Sequence, residues 1–410
     1  MTEAPSQVPD RRENKYPRVT VWEVFTVFLK LGLTAFGGPV AHLGYYREAL
    51  VRRRRWLDEE TFADLIALCQ FLPGPASSQT AIGIGLIRAG PWGGAAAWLG
   101  FTLPSAILMT LIAFSAGALH GPIAAGLIHG LKLVATAVVA EAVFGMAKRL
   151  TPDARRAGIA LGAAMLASLA PANIGQVAAI GLGGAAGLWL CREVTPPPGT
   201  AHEFGVSRRI GMVAFGLYLL ILAGGPVLAA LSGQPALARF DAFYRSGALV
   251  FGGGHVVLPL LQQAVVGPGW VDQNTFLAGY GAAQAMPGPL FTFAAYLGAV
   301  MRTPSNGLLG AALGTMAIFL PGVLALVAAL PFWNLLRTRP KAQAALRGAN
   351  AAVVGLLAAA LYNPVWTTAV LGQADFVAVL SGFIFLAAFR MPPLLVVAAG
   401  ASFGMVQHLT

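Results

Sequence analysis

Long apolar runs alternate with short polar or basic stretches along this chain. Trp92–Phe114, Gly158–Leu169, Ile210–Leu231, Gly307–Leu330 and Phe376–Phe389 carry no charge. They approach or reach the roughly 20 residues a helix needs to cross a bilayer. The pattern predicts an all-α polytopic membrane protein. Two runs are interrupted in the same way, by "QFLPGPASSQ" (Gln70–Gln79) and "QAMPGPLFTF" (Gln284–Phe293). Two prolines around one glycine remove backbone donors and break a helix, so each run is expected to bend into two half-helices.

Composition sharpens the class. The chain is 57% hydrophobic and 10% charged, with mean hydropathy +0.71. A soluble domain carries about 25% charged residues, so this chain cannot clothe a water-facing surface, and the lipid bilayer is its first partner. Residues 1–20 are polar and lack the short apolar core of a removable signal peptide. Cys69 and Cys191 form neither a disulfide framework nor a metal-ligand cluster. The net charge of +11 fits the basic bias of cytoplasmic loops better than a nucleic-acid partner.

The chain contains one unit twice. "FLKLGLTAFGG" (Phe28–Gly38) aligns with "FYRSGALVFGG" (Phe243–Gly253), and "WLDEETF" (Trp56–Phe62) with "WVDQNTF" (Trp270–Phe276). Pro73-Gly74-Pro75 then match Pro287-Gly288-Pro289, Pro104 pairs with Pro321, and "HGLK" with "RGAN" at Gly130 and Gly348. Matches at special-geometry residues in one order indicate an internal duplication. The expected organisation is a polar segment 1–20, a first repeat 21–190, a proline-rich linker 191–209, an unpaired membrane helix 210–231 and a second repeat 240–408.

Charge predicts how the copies are oriented. In the first, basic residues cluster at Arg47, Arg52–Arg55, Lys148, Arg149, Arg155 and Arg156, while "LHGP" (Leu119–Pro122) has none. In the second, "GPGWVDQN" (Gly267–Asn274) and "LYNPVW" (Leu361–Trp366) have none and "RTRPK" (Arg337–Lys341) is basic. Basic loops stay cytoplasmic, so the bias predicts oppositely inserted copies, an inverted-topology repeat. Three apolar segments separate the Arg52–Arg55 and Lys148 loops. An odd number makes Thr61–Arg88 the candidate re-entrant hairpin, with "AFGGPVAH" (Ala35–His42) a second break. A kinked but fully crossing helix is the alternative.

Broken helices at membrane depth expose N–H groups and positive dipole ends that suit an anion. The candidate substrate site therefore comprises Gly37, Gly38, Gly252, Gly253, Pro73, Gly74, Pro75, Pro287, Gly288 and Pro289. Gln70, Gln284, Ser77, Ser78, Gln79 and Thr292 add neutral donors for oxyanion oxygens. Lys30 and Arg245 hold matching positions within apolar segments, a paired positive site for a dianion; snorkelling to the interface is the alternative. His42, His255 and Glu141 are proton-coupling candidates, although Glu141 could instead pair with Lys148. No phosphate-binding GxxxxGK[ST] loop and no nucleophile–base constellation occurs, so neither ATP-driven transport nor an enzyme is expected, and no cofactor or metal.

"FLKLGLTAFGGPVAH", "WLDEETF", "ALCQFLPGPASSQ", "FGGGHVVLPLL" and "QAMPGPLFTFAAYLGA" resemble the chromate ion transporter family in its long, two-domain form. The resemblance covers nearly the whole chain after residue 20. It implies inner-membrane efflux of chromate, a tetrahedral dianion, giving chromate resistance. The second copy departs from the first in Gly254 for Pro39 and Phe293 for Gln79, so the halves are not expected to supply identical ligands. Sulfate or another oxyanion as substrate, uptake in place of export, an anion channel and a homodimer all stay open.

Overall fold

The structure, a computed structural model, describes residues 19–116, 121–169, 172–192, 204–251, 254–302 and 306–408. Within the first copy the helices are α1 (Val21–Thr34), α2 (Gly38–Tyr46), α3 (Glu59–Phe71), α4 (Ala76–Ala116), α5 (Pro122–Leu150), α6 (Ala154–Leu169) and α7 (Ala172–Leu190). Then come α8 (Arg208–Ser232), α9 (Pro235–Ala248), α10 (Val257–Val265), α11 (Gln273–Ala283), α12 (Phe293–Val300), α13 (Gly307–Ala329) and α14 (Trp333–Thr338). The chain closes with α15 (Pro340–Ala360), a single turn α16 (Thr367–Ala369), α17 (Gln373–Ala387) and α18 (Pro393–Gln407). No strand occurs among the described residues. Five helices are long and apolar enough to cross a membrane, which makes this a multi-pass membrane protein. Gly252, Gly253, residues 1–18 and 193–203 of the linker lie outside the described residues.

Backbone chemistry sets the breaks. Asp58 and Asp272 each accept a hydrogen bond from the backbone N–H three residues on, which starts α3 and α11 at equivalent places. The chain leaves helical geometry at Leu72 and turns at Gly74, whose φ is +117°. A Cβ built on Gly83 would sit 2.7 Å from Leu65. Thus α3 and the first limb of α4 run side by side, a hairpin closed by Pro73-Gly74-Pro75. The second copy repeats it: Gly279 of α11 faces the Tyr296 ring of α12, and Tyr296 O–H donates to Thr275 C=O at 3.2 Å. α3 has 13 residues, about 20 Å at 1.5 Å per residue, well short of a roughly 30 Å hydrocarbon core. α4 itself breaks at Ala89 and Gly90, and Gly85 packs against Gly93 across that turn.

The copies are interleaved. Gly126 and Gly130 of α5 press against Gly404 and Gly400 of α18, and Gly348 of α15 presses against Gly183 and Gly187 of α7. Each copy's long helix is thus sheathed by a helix of the other copy, through equivalent glycines. Water does not drive association between helices in lipid, so close backbone approach at small residues is what holds such seams.

Contacts also sort the charges by end. Arg54 pairs with Glu23 at 3.3 Å, which joins the start of α1 to the Arg52–Arg55 loop. Arg337 pairs with Asp64 at 3.2 Å, largely buried, which brings the "RTRPK" segment to the same end. Pro340 and Lys341 line a cavity with Trp189 and Arg192, and Arg155 reaches the Leu190 carbonyl at 3.5 Å. The basic loops of both copies therefore gather at one end. Lys132, ten residues into α5, donates to Asn274 at 3.1 Å, which puts the Gly267–Asn274 stretch, without Lys or Arg, towards the other end of α5, away from Lys148.

Substitution at the seam should separate packing from propensity. A Cβ on Gly348 would meet the Gly183 carbonyl at 2.1 Å, whereas one on Gly181, in α7 itself, meets nothing within 4 Å. Gly348→Ala and Gly130→Ala are expected to lower the thermal unfolding midpoint of the detergent-purified protein by several degrees. Gly181→Ala should leave it unchanged or raise it.

Candidate functional site

The four breaks meet at the centre and hold each other. Gly74 N–H donates to the Val250 carbonyl at 2.8 Å, and Gly288 N–H donates to the Ala35 carbonyl at 2.9 Å. Ala35 and Val250 are equivalent residues, as are Gly74 and Gly288. Each proline–glycine turn is therefore tied to the other copy's glycine-rich break. Only a glycine suits either turn: φ is +117° at Gly74 and +89° at Gly288. Gly74 also abuts Gly322, while Gly288 abuts Phe101 and Ser105, so the residues next to Pro104 and Pro321 form the floor of the opposite turn.

Side chains complete the crossing. Gln79 Nε2–H donates to the carbonyls of Pro73 (2.9 Å) and Gly322 (3.0 Å), locking its own turn onto α13. Ser105 O–H donates to Thr292 Oγ1 at 2.6 Å, and Thr292 O–H donates to the Pro289 carbonyl at 2.8 Å. Half-helices start here: α2 from Gly37 and the turn at Leu290 from Pro289, both without a side-chain cap. Their first N–H groups have no intrahelical acceptor and carry the positive end of the helix dipole.

Around this crossing the first copy buries polar atoms without partners. They are both ring nitrogens of His42, with the Ala35 carbonyl close by, Tyr46 Oη, Ser78 Oγ, Gln79 Oε1 and Thr102 Oγ1. Phe101 sits between His42 and Tyr46, with ring centroids 5.2 and 5.4 Å away. Over 90% of buried polar groups find a partner in folded proteins, so six such atoms around one crossing are unusual. The second copy answers differently at matching positions. Thr292, for Ser78, is fully bonded, and Phe293 and Phe319 replace Gln79 and Thr102. His255 lies 2.9 Å from the Tyr280 hydroxyl. Tyr280 also bonds Gln284 and feels the charge of Glu141. The centre is thus asymmetric: an unpartnered polar half faces a satisfied, more apolar half.

The structure brings His42, Ser78, Gln79 and Thr292 to the crossing with Gly37, Gly38 and both Pro-Gly-Pro turns, and Ser77 is buried beside them. Lys30 and Arg245 do not join it. Lys30 is exposed on α1, and Arg245 faces Asp241 one turn away at 4.0 Å. No hydrogen bond or ion pair links either to the breaks among the described residues. The geometric reason is helical phase: Phe28 and Leu31 occupy the buried face of α1 and leave Lys30 outward. Gln70 is exposed, whereas Gln284 is half-buried with its Nε2 unpartnered. Glu141 does not pair with Lys148, whose Nζ lies 4.2 Å from the Phe144 ring centroid. Tyr46, Thr102, Ser105, Tyr280 and Gly322 enter the site unannounced. Pairing of Pro104 with Pro321 signalled two of them, since Ser105 and Gly322 follow those prolines directly.

Broken half-helices inside a multi-pass helical chain are an architecture found in membrane transporters. This chain belongs to the chromate transporter family, whose profile matches residues 22–188 and 237–405. It is 29% identical over 370 residues to the chromate transport protein of Pseudomonas aeruginosa, covering 86% of this chain and 83% of that one. The probable chromate transport protein of Synechococcus elongatus is 27% identical over 349 residues, 84% and 85% of the two chains. A chromate transport protein of Cupriavidus metallidurans is 26% identical over 348 residues, 84% and 82%. No solved structure gives a significant match.

The asymmetry is testable without substrate. Thr292→Val keeps shape but strands the Ser105 hydroxyl, and should destabilise by about 1–3 kcal/mol. Ser78→Ala removes a buried hydroxyl with no partner and should leave the unfolding midpoint unchanged or higher. Equal losses from the two substitutions would contradict the asymmetric reading.

Proposed function

We propose that this chain exports chromate across the inner (plasma) membrane, as an inverted repeat whose interlocked breaks form the substrate site, and thereby confers chromate resistance. The observation that carries the proposal is the crossing itself: half-helix N-termini and six partnerless polar atoms of His42, Tyr46, Ser78, Gln79 and Thr102, with no fixed countercharge among them. The hydroxyls of Tyr46, Ser78 and Thr102, one His42 N–H and the half-helix amides can donate to an oxyanion, whereas Gln79 Oε1 can only accept and serves through the turn it locks. Lys30 and Arg245 are then entry cations along the outside of α1 and α9, and the amides and hydroxyls are the ligands. Chromate, the substrate named for the relatives from P. aeruginosa and C. metallidurans, has the charge and tetrahedral shape this requires.

Electrical work sets the direction. One elementary charge is worth about 2.3 kcal/mol per 100 mV, so a dianion leaving a negative interior gains about twice that. Export needs no obligatory cation, whereas import of the same ion would need symported protons or sodium. The His255–Tyr280 pair beside the second turn, within the electrostatic reach of Glu141, is the proposed proton route where coupling occurs.

Everted membrane vesicles decide between export and its rivals. With valinomycin and high external potassium, which make the lumen positive, labelled chromate should accumulate in vesicles carrying the protein and show saturation. Gly74→Ala and Gly288→Ala, at matched membrane abundance, should abolish accumulation. Accumulation in right-side-out vesicles alone would make the protein an importer. Excess sulfate competing more strongly than unlabelled chromate would make sulfate the substrate.

A further inference from the structure

A second polar centre lies away from the breaks, near the N-terminal end of α5. His129, Lys132, Asn274, Asp375, Gln407 and His408 line a cavity of about 580 Å³. Three of its charged or titratable side chains are more than nine-tenths buried: His129 is 6% exposed, Lys132 8% and Asp375 2%. They come from both copies, on α5, α11, α17 and the end of α18. No part of this cluster takes part in the interlocked breaks.

Its hydrogen bonds leave specific donors over. His129 Nε2–H donates to Asp375 Oδ1 at 2.8 Å. The same carboxylate accepts from Gln407 Nε2 at 3.3 Å and, through Oδ2, from the Leu371 N–H at 2.9 Å. Asp375 is thus occupied by three donors and holds the His129 tautomer. Lys132 Nζ donates one proton to Asn274 Oδ1 at 3.1 Å, which leaves it two more. That bond also fixes the Asn274 amide so that its NH₂ is turned away from Lys132. The His408 ring lies 5.5 Å from that of His129. The next charge on α11, Asp272, is taken by Thr275 and by Arg302 at 3.3 Å.

Charge then depends on the imidazoles, His129 and, beside it, His408. With His129 neutral, Lys132 and Asp375 cancel. With His129 protonated, Nδ1 becomes a second cationic donor and the cavity carries a net positive charge. Histidine is the side chain whose charge changes most readily between pH 5 and 8. The pseudo-equivalent place supports the assignment. At the other end of the molecule Arg347 stands where His129 does, lining a cavity of about 370 Å³ with Asp153, Arg155, Arg156 and Cys191. At the matched position one cavity therefore carries a guanidinium, Arg347, and the other an imidazole, His129.

We propose that the His129–Lys132–Asn274 cavity is a proton-linked binding site for a tetrahedral oxyanion, free or as a lipid phosphate headgroup, separate from the break-lined centre. Lys132 Nζ and protonated His129 Nδ1 donate to the anion, Asn274 Oδ1 orients the Lys132 ammonium, and Asp375 positions the imidazole. By linkage, an anion that prefers the protonated site also draws a proton onto it.

The test is binding, not transport, so it stands whether or not the chain exports chromate. Labelled sulfate is equilibrated with the purified full-length protein in non-ionic detergent at pH 5.5 and pH 8. It is then competed with short-chain phosphatidylglycerol, against phosphatidylcholine as control. A class of sulfate site tighter at pH 5.5, weakened about tenfold or more in Lys132→Met and in the isosteric Asn274→Asp, supports the free anion. Asn274→Asp neutralises Lys132 without emptying the core, so it remains informative if Lys132→Met does not fold. His129→Gln should leave only weak, pH-independent binding. Displacement by phosphatidylglycerol that the same variants abolish, without a sulfate site of that kind, supports the headgroup. Sulfate and lipid binding identical in wild type and all three variants overturns the proposal.

Discussion

Two backbone hydrogen bonds, Gly74 to Val250 and Gly288 to Ala35, tie the two copies of the repeat together at the middle of the molecule. Everything else at the centre follows from that exchange. A broken helix in an apolar medium strands N–H and C=O groups, each expensive to leave unpaired. Here each break supplies the partner the other lacks. Each turn bonds its own carbonyl through a side chain of its own copy, Gln79 or Thr292, but its glycine amide only through the other copy. The same reciprocity recurs where Gly130 meets Gly400 and Gly348 meets Gly183.

Reciprocity in the backbone does not extend to the side chains. The first copy keeps His42, Tyr46, Ser78 and Thr102 unpartnered, while the second fills matching space with Phe293 and Phe319 and closes Thr292 onto Ser105. The scaffold is thus repeated in its backbone and asymmetric in its lining. Charge follows the same logic at the periphery. Arg337, Lys341, Arg155 and the Arg52–Arg55 loop gather at one end although they come from both copies.

Much of this was legible in the sequence because proline and glycine act locally. Pro73-Gly74-Pro75 and Pro287-Gly288-Pro289 announce breaks whatever surrounds them, and their spacing exposes the repeat. Apolar length and the scarcity of charge announce the helices. What pairs with what was not legible, since Gly74 and Val250 are far apart in the chain and nothing in either segment names the other. The outward direction of Lys30 was not legible from its apolar neighbourhood, which says how deep a residue sits along a helix, not which way it faces. The phase of Val24, Phe28 and Leu31 carried that information. His129 and Asp375 stayed hidden for the same reason as the crossing: their pairing exists only once the copies interleave.

The central claim is that the copies enter the membrane in opposite directions and lock at their breaks. Single cysteines at Arg53 and at Pro268, in a background with Cys69 and Cys191 replaced, test the direction in intact cells with a membrane-impermeant thiol reagent. The account predicts labelling of the Pro268 position from outside and protection of the Arg53 position until the membrane is opened. Labelling of both positions from the same side would contradict it.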